Sequence, residues 1–202
     1  LMMKPVYDRA RADKQRVVYA EGEEEVVLRA VQTVIDDGLA FPILIGRPDV
    51  ILNRITKLGL RMRVGVDFEL TNINDDPRFD DYWRQYHALT ERRGVTPDAA
   101  KNLVRSRPTI IAALMVERGE ADGLITGIVG RYHKKLGYLR SIFDFEPGVQ
   151  GTAAMTGVIN DKGAWFFVDT HVQMDPSAEQ IAEATMQAAY RLKLFGIEPK
   201  VA

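Results

Sequence analysis

Between Thr126 and Lys135 the sequence reads TGIVGRYHKK, with the short apolar run Gly123-Leu124-Ile125 just before it. Two glycines, Gly127 and Gly130, thus stand directly ahead of Arg131, His133, Lys134 and Lys135. A strand that ends in a glycine turn and opens a helix is suited to binding phosphate. Glycine lets the main chain approach an anion, the first helical N–H groups lack partners, and the helix dipole favours negative charge. Arg131 would grip such a group in fork geometry, and Lys134 and Lys135 would act as mobile point charges. The turn is neither a P-loop nor a G-x-G-x-x-G fingerprint. On spacing alone, anion binding therefore competes with a solvated basic helix face.

Other chemistry-bearing residues are more scattered. Glu21, Glu23, Glu24 and Glu25 offer carboxylates to a metal, but acids in the first turn of a helix are expected from the macrodipole alone. Asp169-Thr170-His171 follows an apolar run, where Asp169 would orient an imidazole or a ligand hydroxyl, or serve an ordinary polar loop. His87, Trp83 and Tyr86 share one helical stretch and read as packed side chains. No Gly-x-Ser-x-Gly elbow, His-rich metal spacing or Walker motif occurs.

The elements that would position these residues alternate. Arg16 to Ala20 and Phe41 to Ile45 are β-rich runs. Between them, Val26, Val27, Ala30, Val31, Val34 and Ile35 have the spacing of a buried helix stripe, with Gly38 as its stop. Pro48 starts a further helix, with Val50, Ile51, Ile55 and Leu58 on one face before Gly59. A weaker strand is expected over Asp67 to Thr71, and helices from Phe79 to Arg92, from Thr96-Pro97-Asp98 to Val104, and from Pro108 to Gly119. After Pro147-Gly148, Ala153 to Ile159 and Ala164 to Val168 flank a hairpin connector. Asp175-Pro176 then opens a helix to Phe195, with Ile181, Ala188, Ala189 and Leu192 on its apolar side. The strand–helix rhythm predicts an α/β fold, a parallel sheet flanked by helices, and the change of pattern near Pro147-Gly148 divides the chain into residues 1–145 and residues 146–202.

Bulk composition narrows the function classes. With 27 Lys+Arg against 28 Asp+Glu, no global field recruits nucleic acid or anionic lipid, so electrostatic specificity must be local. Cysteine is absent, which excludes disulfides, thiolate metal sites and thiol nucleophiles. No apolar run approaches the ~18 residues of a membrane span. A cytoplasmic protein is expected. Leu1 at the start and the break at Lys200-Val201-Ala202 read as cut ends of a longer protein.

Four segments in order, RVVYAEGEEEVVLRA from Arg16, ILIGRP from Ile43, EADGLITG from Glu120 and VDTHVQMDPSAEQIAEAT from Val168, resemble the phosphate acetyltransferase and butyryltransferase family along nearly the whole chain. YHALTERRGVTPDAA from Tyr86, GIVGRYHKKLGYLR from Gly127 and DTHVQMDP from Asp169 are closer still to the form of this domain at the C-terminus of bacterial NADP-dependent malic enzymes. The resemblance implies a cleft where acetyl-CoA and phosphate meet, with cations for the phosphate and positioned donors for developing carbonyl charge. It implies two α/β subdomains, the second only begun in residues 146–202, and ligand-binding roles for Thr126, Gly127, Gly130, Arg131, Tyr132, Lys134, Lys135 and Asp169.

Departures from the family pattern bear on catalysis. Thr126 to Tyr132 stands where the family has Ser-Gly-x-x-His-Thr-Thr, Gly137 where active enzymes carry a phosphate-binding arginine, and Thr90 where they commonly carry another. Each missing donor costs on the order of 10²–10³ in rate. The expectation is a regulatory domain that senses acetyl-CoA or a related phosphorylated metabolite, and is not itself catalytic. It would sit in one chain with a malic-enzyme catalytic domain carrying the NADP and divalent-metal sites, within a homo-oligomer. The alternatives are a working phosphate acetyltransferase, and an assembly module built on the hairpin 153–168 and the helix 176–195.

Overall fold

The computed structural model describes residues 3–202, which form two compact units, one running to Asp144 and the other from Phe145 to Ala202. The first comprises α1 (Met3–Ala12), β1 (Gln15–Tyr19), α2 (Glu25–Asp36), β2 (Ala40–Gly46), α3 (Pro48–Lys57), β3 (Glu69–Asn72), α4 (Phe79–Thr90), α5 (Pro97–Ser106), α6 (Pro108–Glu117), β4 (Gly123–Ile125) and α7 (Tyr132–Arg140). Its four strands lie in the order β3-β2-β1-β4, and every neighbouring pair is parallel. Parallel neighbours need long crossovers, and the helices supply them. The α/β fold with a helix-flanked parallel sheet is therefore as the rhythm of the sequence predicts.

Strand alternation divides the core in two. Val18, Ile43 and Ile45 face one way, onto Tyr82, Tyr86, Ala100, Val104 and the helix α6. Tyr19 and Leu44 face the other way, onto Leu28, Val31, Ile51, Ile55 and Phe68. Within α6 every residue from Thr109 to Met115 is buried. A helix apolar on all sides belongs inside a domain, and α6 fills that place here.

The structure moves several details. The α2 stripe centres on Leu28 and Val31, flanked by Val27, Val34 and Ile35, whereas Val26 and Ala30 are exposed. Two sets of apolar residues overlap on this helix, and spacing alone does not say which set the sheet covers. Helix α1, which the sequence reading did not expect, buries no residue. In α4 the helical stretch ends at Thr90, and Glu91–Arg93 closes it as a short 3-10 turn.

The second unit holds an antiparallel hairpin, β5 (Met155–Asn160) and β6 (Gly163–Val168), with Asn160 opposite Gly163 across a two-residue connector. Its helix α8 (Ala178–Leu194) begins after Ser177, not at Pro176, because Ser177 and Gln180 form a reciprocal capping box. Ala184 and Leu192 are buried on α8, and Ile181, expected on the apolar side, is 54% exposed. No helix among the described residues is long and apolar enough to cross a membrane.

Candidate functional site

The order of the strands points to the site. From β1 the chain steps outward to β2 and β3, then returns to place β4 on the opposite side of β1. In open parallel sheets ligands bind in the crevice beyond the carboxyl ends of the strands at such a reversal. Here the loop after β1 and the turn after β4 meet beside a cavity of about 830 Å³, all of whose lining lies in the first unit. Residues 20–24 follow β1, residues 45–47 end β2, and Ile73 follows β3. Residues 106–109 lead into α6, while Val129, Gly130, Arg131, Lys134, Lys135 and Tyr138 come from the last turn and α7.

Close backbone approach shapes this end of the sheet. The Gly22 N–H donates to the Ile45 carbonyl at 3.1 Å, and a Cβ on Gly22 would lie only 2.7 Å from that oxygen. After β4 the chain turns sharply through Gly127 at φ +126°, in the region that favours glycine.

At the base of the crevice, Glu21 is the common partner. Its carboxylate accepts hydrogen bonds from the Gly127 N–H at 3.2 and 3.3 Å and from the Thr126 hydroxyl at 3.0 Å, and it forms an ion pair with Lys135. The Lys135 ammonium also donates to Thr109 at 3.1 Å and Thr126 at 3.2 Å, and the two threonine hydroxyls are 2.9 Å apart. Beside this cluster, Glu23 receives the Arg47 main-chain N–H and two guanidinium N–H groups at 2.7–2.9 Å, and the Arg54 guanidinium caps the Glu23 carbonyl. Hydrogen bonding to the Arg47 side chain holds the Glu23 carboxyl below its usual range.

Not every cation is engaged. Arg107 donates to the Tyr138 hydroxyl at 3.2 Å and to the Ser106 carbonyl. Arg131 and Lys134 line the same cavity, and among the described residues their side chains have no hydrogen-bond or ion-pair partner. Arg131 is also the residue that caps α7, in extended geometry.

Of the residues singled out from the sequence, Gly130, Arg131, Lys134 and Lys135 line the cavity together. Thr126 and Gly127 reach it through Glu21. Tyr132 begins α7, is 44% exposed, and meets His133 edge-on with ring centroids 5.7 Å apart. Asp169 lies in the second unit, where it accepts main-chain N–H groups of Ala154, His171, Val172 and Gln173 at 2.5–3.4 Å. Burial opposes its charge, but those four amides outweigh it and hold the carboxyl below its ordinary value.

Glu25 stands in the first turn of α2, as the macrodipole favours, but Glu21 and Glu23 need a different account. α2 begins at Glu25, so Glu21 and Glu23 precede the helix and are held by Lys135 and Arg47. Among the described residues no group of three or more His, Cys, Asp or Glu is placed to hold a metal ion. Arg107, Tyr138 and Glu21 belong to the cavity but carried no local signal for it, because α6, α7 and β1 come together only through the sheet. Gly137 is an exposed position of α7 with open space where a side chain would stand. Thr90 is buried and donates its hydroxyl to the Tyr86 carbonyl at 2.7 Å. Neither position supplies a cation.

Comparison with known proteins places these features. The profile of the phosphate acetyl/butaryl transferase family matches residues 1–202. The chain is 48% identical over 202 residues to the NADP-dependent malic enzyme of Escherichia coli (strain K12), and 48% identical to the NAD-dependent malic enzyme of Rhizobium meliloti (strain 1021). It is covered completely in both cases but spans only 27% and 26% of those proteins. Among solved structures, a phosphotransacetylase from Streptococcus pyogenes superposes with a TM-score of 0.85 at 26% identity, over 98% of this chain and 60% of that one.

Proposed function

Because the chain belongs to the phosphate acetyl/butaryl transferase family, we propose that it is the ligand-binding regulatory domain of a multidomain NADP-dependent malic enzyme. The cavity beside β1 and β4 takes acetyl-CoA or a related phosphorylated metabolite. The enzyme as a whole converts malate to pyruvate and CO2, with its NADP and divalent metal held in another domain of the same chain. It works in the cytoplasm as a homo-oligomer.

The observation that carries this reading is the pair Arg131 and Lys134, two cations without partners among the described residues, on the wall of a cavity of about 830 Å³. That volume falls within the ordinary range of small-molecule sites. Unpaired cations on a concave wall are suited to an anionic headgroup. Sensing is favoured over turnover because positions 90 and 137 hold threonine and glycine, so two cations of the active pattern are missing. Regulation follows if the ligand binds the active and inactive states of the enzyme with different affinity, since only that difference shifts their populations.

Titration calorimetry of the intact protein with acetyl-CoA tests the reading. Saturable heat is expected. Arg131→Ala with Lys134→Ala together should weaken binding about a hundredfold, roughly tenfold for each charge-assisted hydrogen bond removed. Phosphate-dependent exchange between acetyl-CoA and acetyl phosphate should be absent. Brisk exchange, or no heat at all, would defeat the proposal.

A further inference from the structure

The donors of the glycine turn are already in use. Gly127 N–H, Thr126 hydroxyl and Lys135 ammonium are the groups a phosphate would be expected to take, and all three hold the Glu21 carboxylate. Thr109 closes the arrangement from behind, bonded to both Thr126 and Lys135. The Glu21 and Lys135 side chains are only 11% and 16% exposed, so the pair is recessed, not waving at the rim. Arg131 and Lys134, on the same wall, have no such carboxylate among the described residues.

We propose that Glu21 is the built-in occupant of the anion subsite at the Gly127 turn, and that a ligand entering this cavity places its own anionic group on Arg131 and Lys134. The second half of this proposal rests on the reading of the cavity as a ligand site; the first half stands on the hydrogen bonds alone. A ligand class follows. A small dianion with nothing but its charge must evict Glu21 from a main-chain amide, a hydroxyl and an ammonium. A phosphorylated molecule with a larger body keeps its hold on Arg131 and Lys134 and packs its apolar part on the half-buried Ile73 and Tyr138, which line the same cavity. The site therefore selects organic phosphates and excludes free inorganic phosphate from the turn.

Inorganic phosphate is the probe. In the intact protein, Glu21→Gln removes the competing charge while keeping the side chain's size. It should raise phosphate affinity about tenfold or more, the scale of one or two charge-assisted hydrogen bonds. Adding Lys135→Met to that variant should abolish the gain, which locates the phosphate at the turn. Glu21→Asp, one methylene shorter, should shift affinity in the same direction by less and carries the test if the glutamine variant does not fold.

The idea is overturned if Glu21→Gln or Glu21→Asp binds phosphate no more tightly than the parent, or if the gain survives Lys135→Met. Acetyl-CoA separates the two proposals. A phosphate gain with no acetyl-CoA binding refutes the regulatory reading and leaves Glu21 as occupant. Acetyl-CoA binding in the parent that is weakened in the Arg131 and Lys134 variant, but with no phosphate gain, does the reverse.

Discussion

The two ends of the β1–β4 strand pair are each closed by a carboxylate, and the two closures differ in kind. At the amino ends, Asp122 takes the Arg16 main-chain N–H at 2.8 Å and two guanidinium N–H groups at 2.8 and 3.1 Å, and Arg16 also reaches the Gly119 carbonyl. The Arg16 and Asp122 side chains are 45% and 33% exposed, and neither residue lines the cavity. At the carboxyl ends, Glu21 is recessed, shares its cation with two threonines, and borders the cavity. The same device, an acid bridging adjacent strands, is thus a surface latch at one end and part of a ligand crevice at the other. What separates them is burial and the direction of the strands, since helices open beyond only the carboxyl ends.

Removing a partner should therefore cost far more at the carboxyl ends. Lys135→Met leaves the Glu21 carboxylate recessed without its cation, which should lower stability by about 2 kcal/mol, less than for a fully buried pair because both groups keep some water. The double variant Glu21→Gln with Lys135→Met should recover most of that loss, because no charge is then stranded. Urea unfolding measures both. A Lys135→Met variant as stable as the parent would mean that Glu21 is solvated in solution, and the contrast between the two ends would collapse.

A smaller effect is expected at Gly22, which sets how closely the Glu21 loop lies against the end of β2. An added Cβ would be 2.7 Å from the Ile45 carbonyl and 3.0 Å from its nitrogen, and both are main-chain atoms that cannot swing aside. Gly22→Ala should cost about 1–2 kcal/mol, in the range of overpacking. It should also weaken acetyl-CoA binding, by moving the crevice wall. Equal binding in parent and variant would show that the loop is not part of the site.

The parts of this arrangement that were legible in the sequence are those made by neighbours in the chain. Thr96-Pro97-Asp98 announces α5, and the Thr96 hydroxyl accepts from Ala99 N–H as a capping threonine does. Gly130, Arg131, Lys134 and Lys135 stand together in the cavity because a turn and the first turns of α7 suffice to group them. Glu21 was not legible as their partner. It lies 114 residues from Lys135, and only the return of β4 to the far side of β1 joins them. Asp169, which follows a strand, accepts amides from its own unit. Helix α1 carries a short apolar pattern, Met3, Val6, Tyr7 and Ala10, but none of these side chains is buried, so the pattern does not mark a core element.

The smallest effect belongs to the surface latch, and pH brings it out. Hydrogen bonding to the Arg16 side chain, then to its main chain, holds the Asp122 carboxyl at about 2, below its ordinary value of 3.8. A carboxyl lowered on folding contributes stability that is fully present above the unfolded value and is lost as pH falls through the folded one. The latch should therefore act above about pH 4 and fade towards about pH 2. Asp122→Asn removes it, so the parent should be the more stable protein at pH 7, by a gap that narrows as pH drops from 4 to 2. Other lowered carboxyls, Glu23 and Asp169 among them, share the acid limb in both proteins and cancel in the difference. Urea unfolding of parent and variant at pH 7, 4 and 3 reads the gap. If it is as wide at pH 3 as at pH 7, Arg16 is not what stabilises the Asp122 charge, and the amino end of the strand pair is held by its main-chain bonds alone.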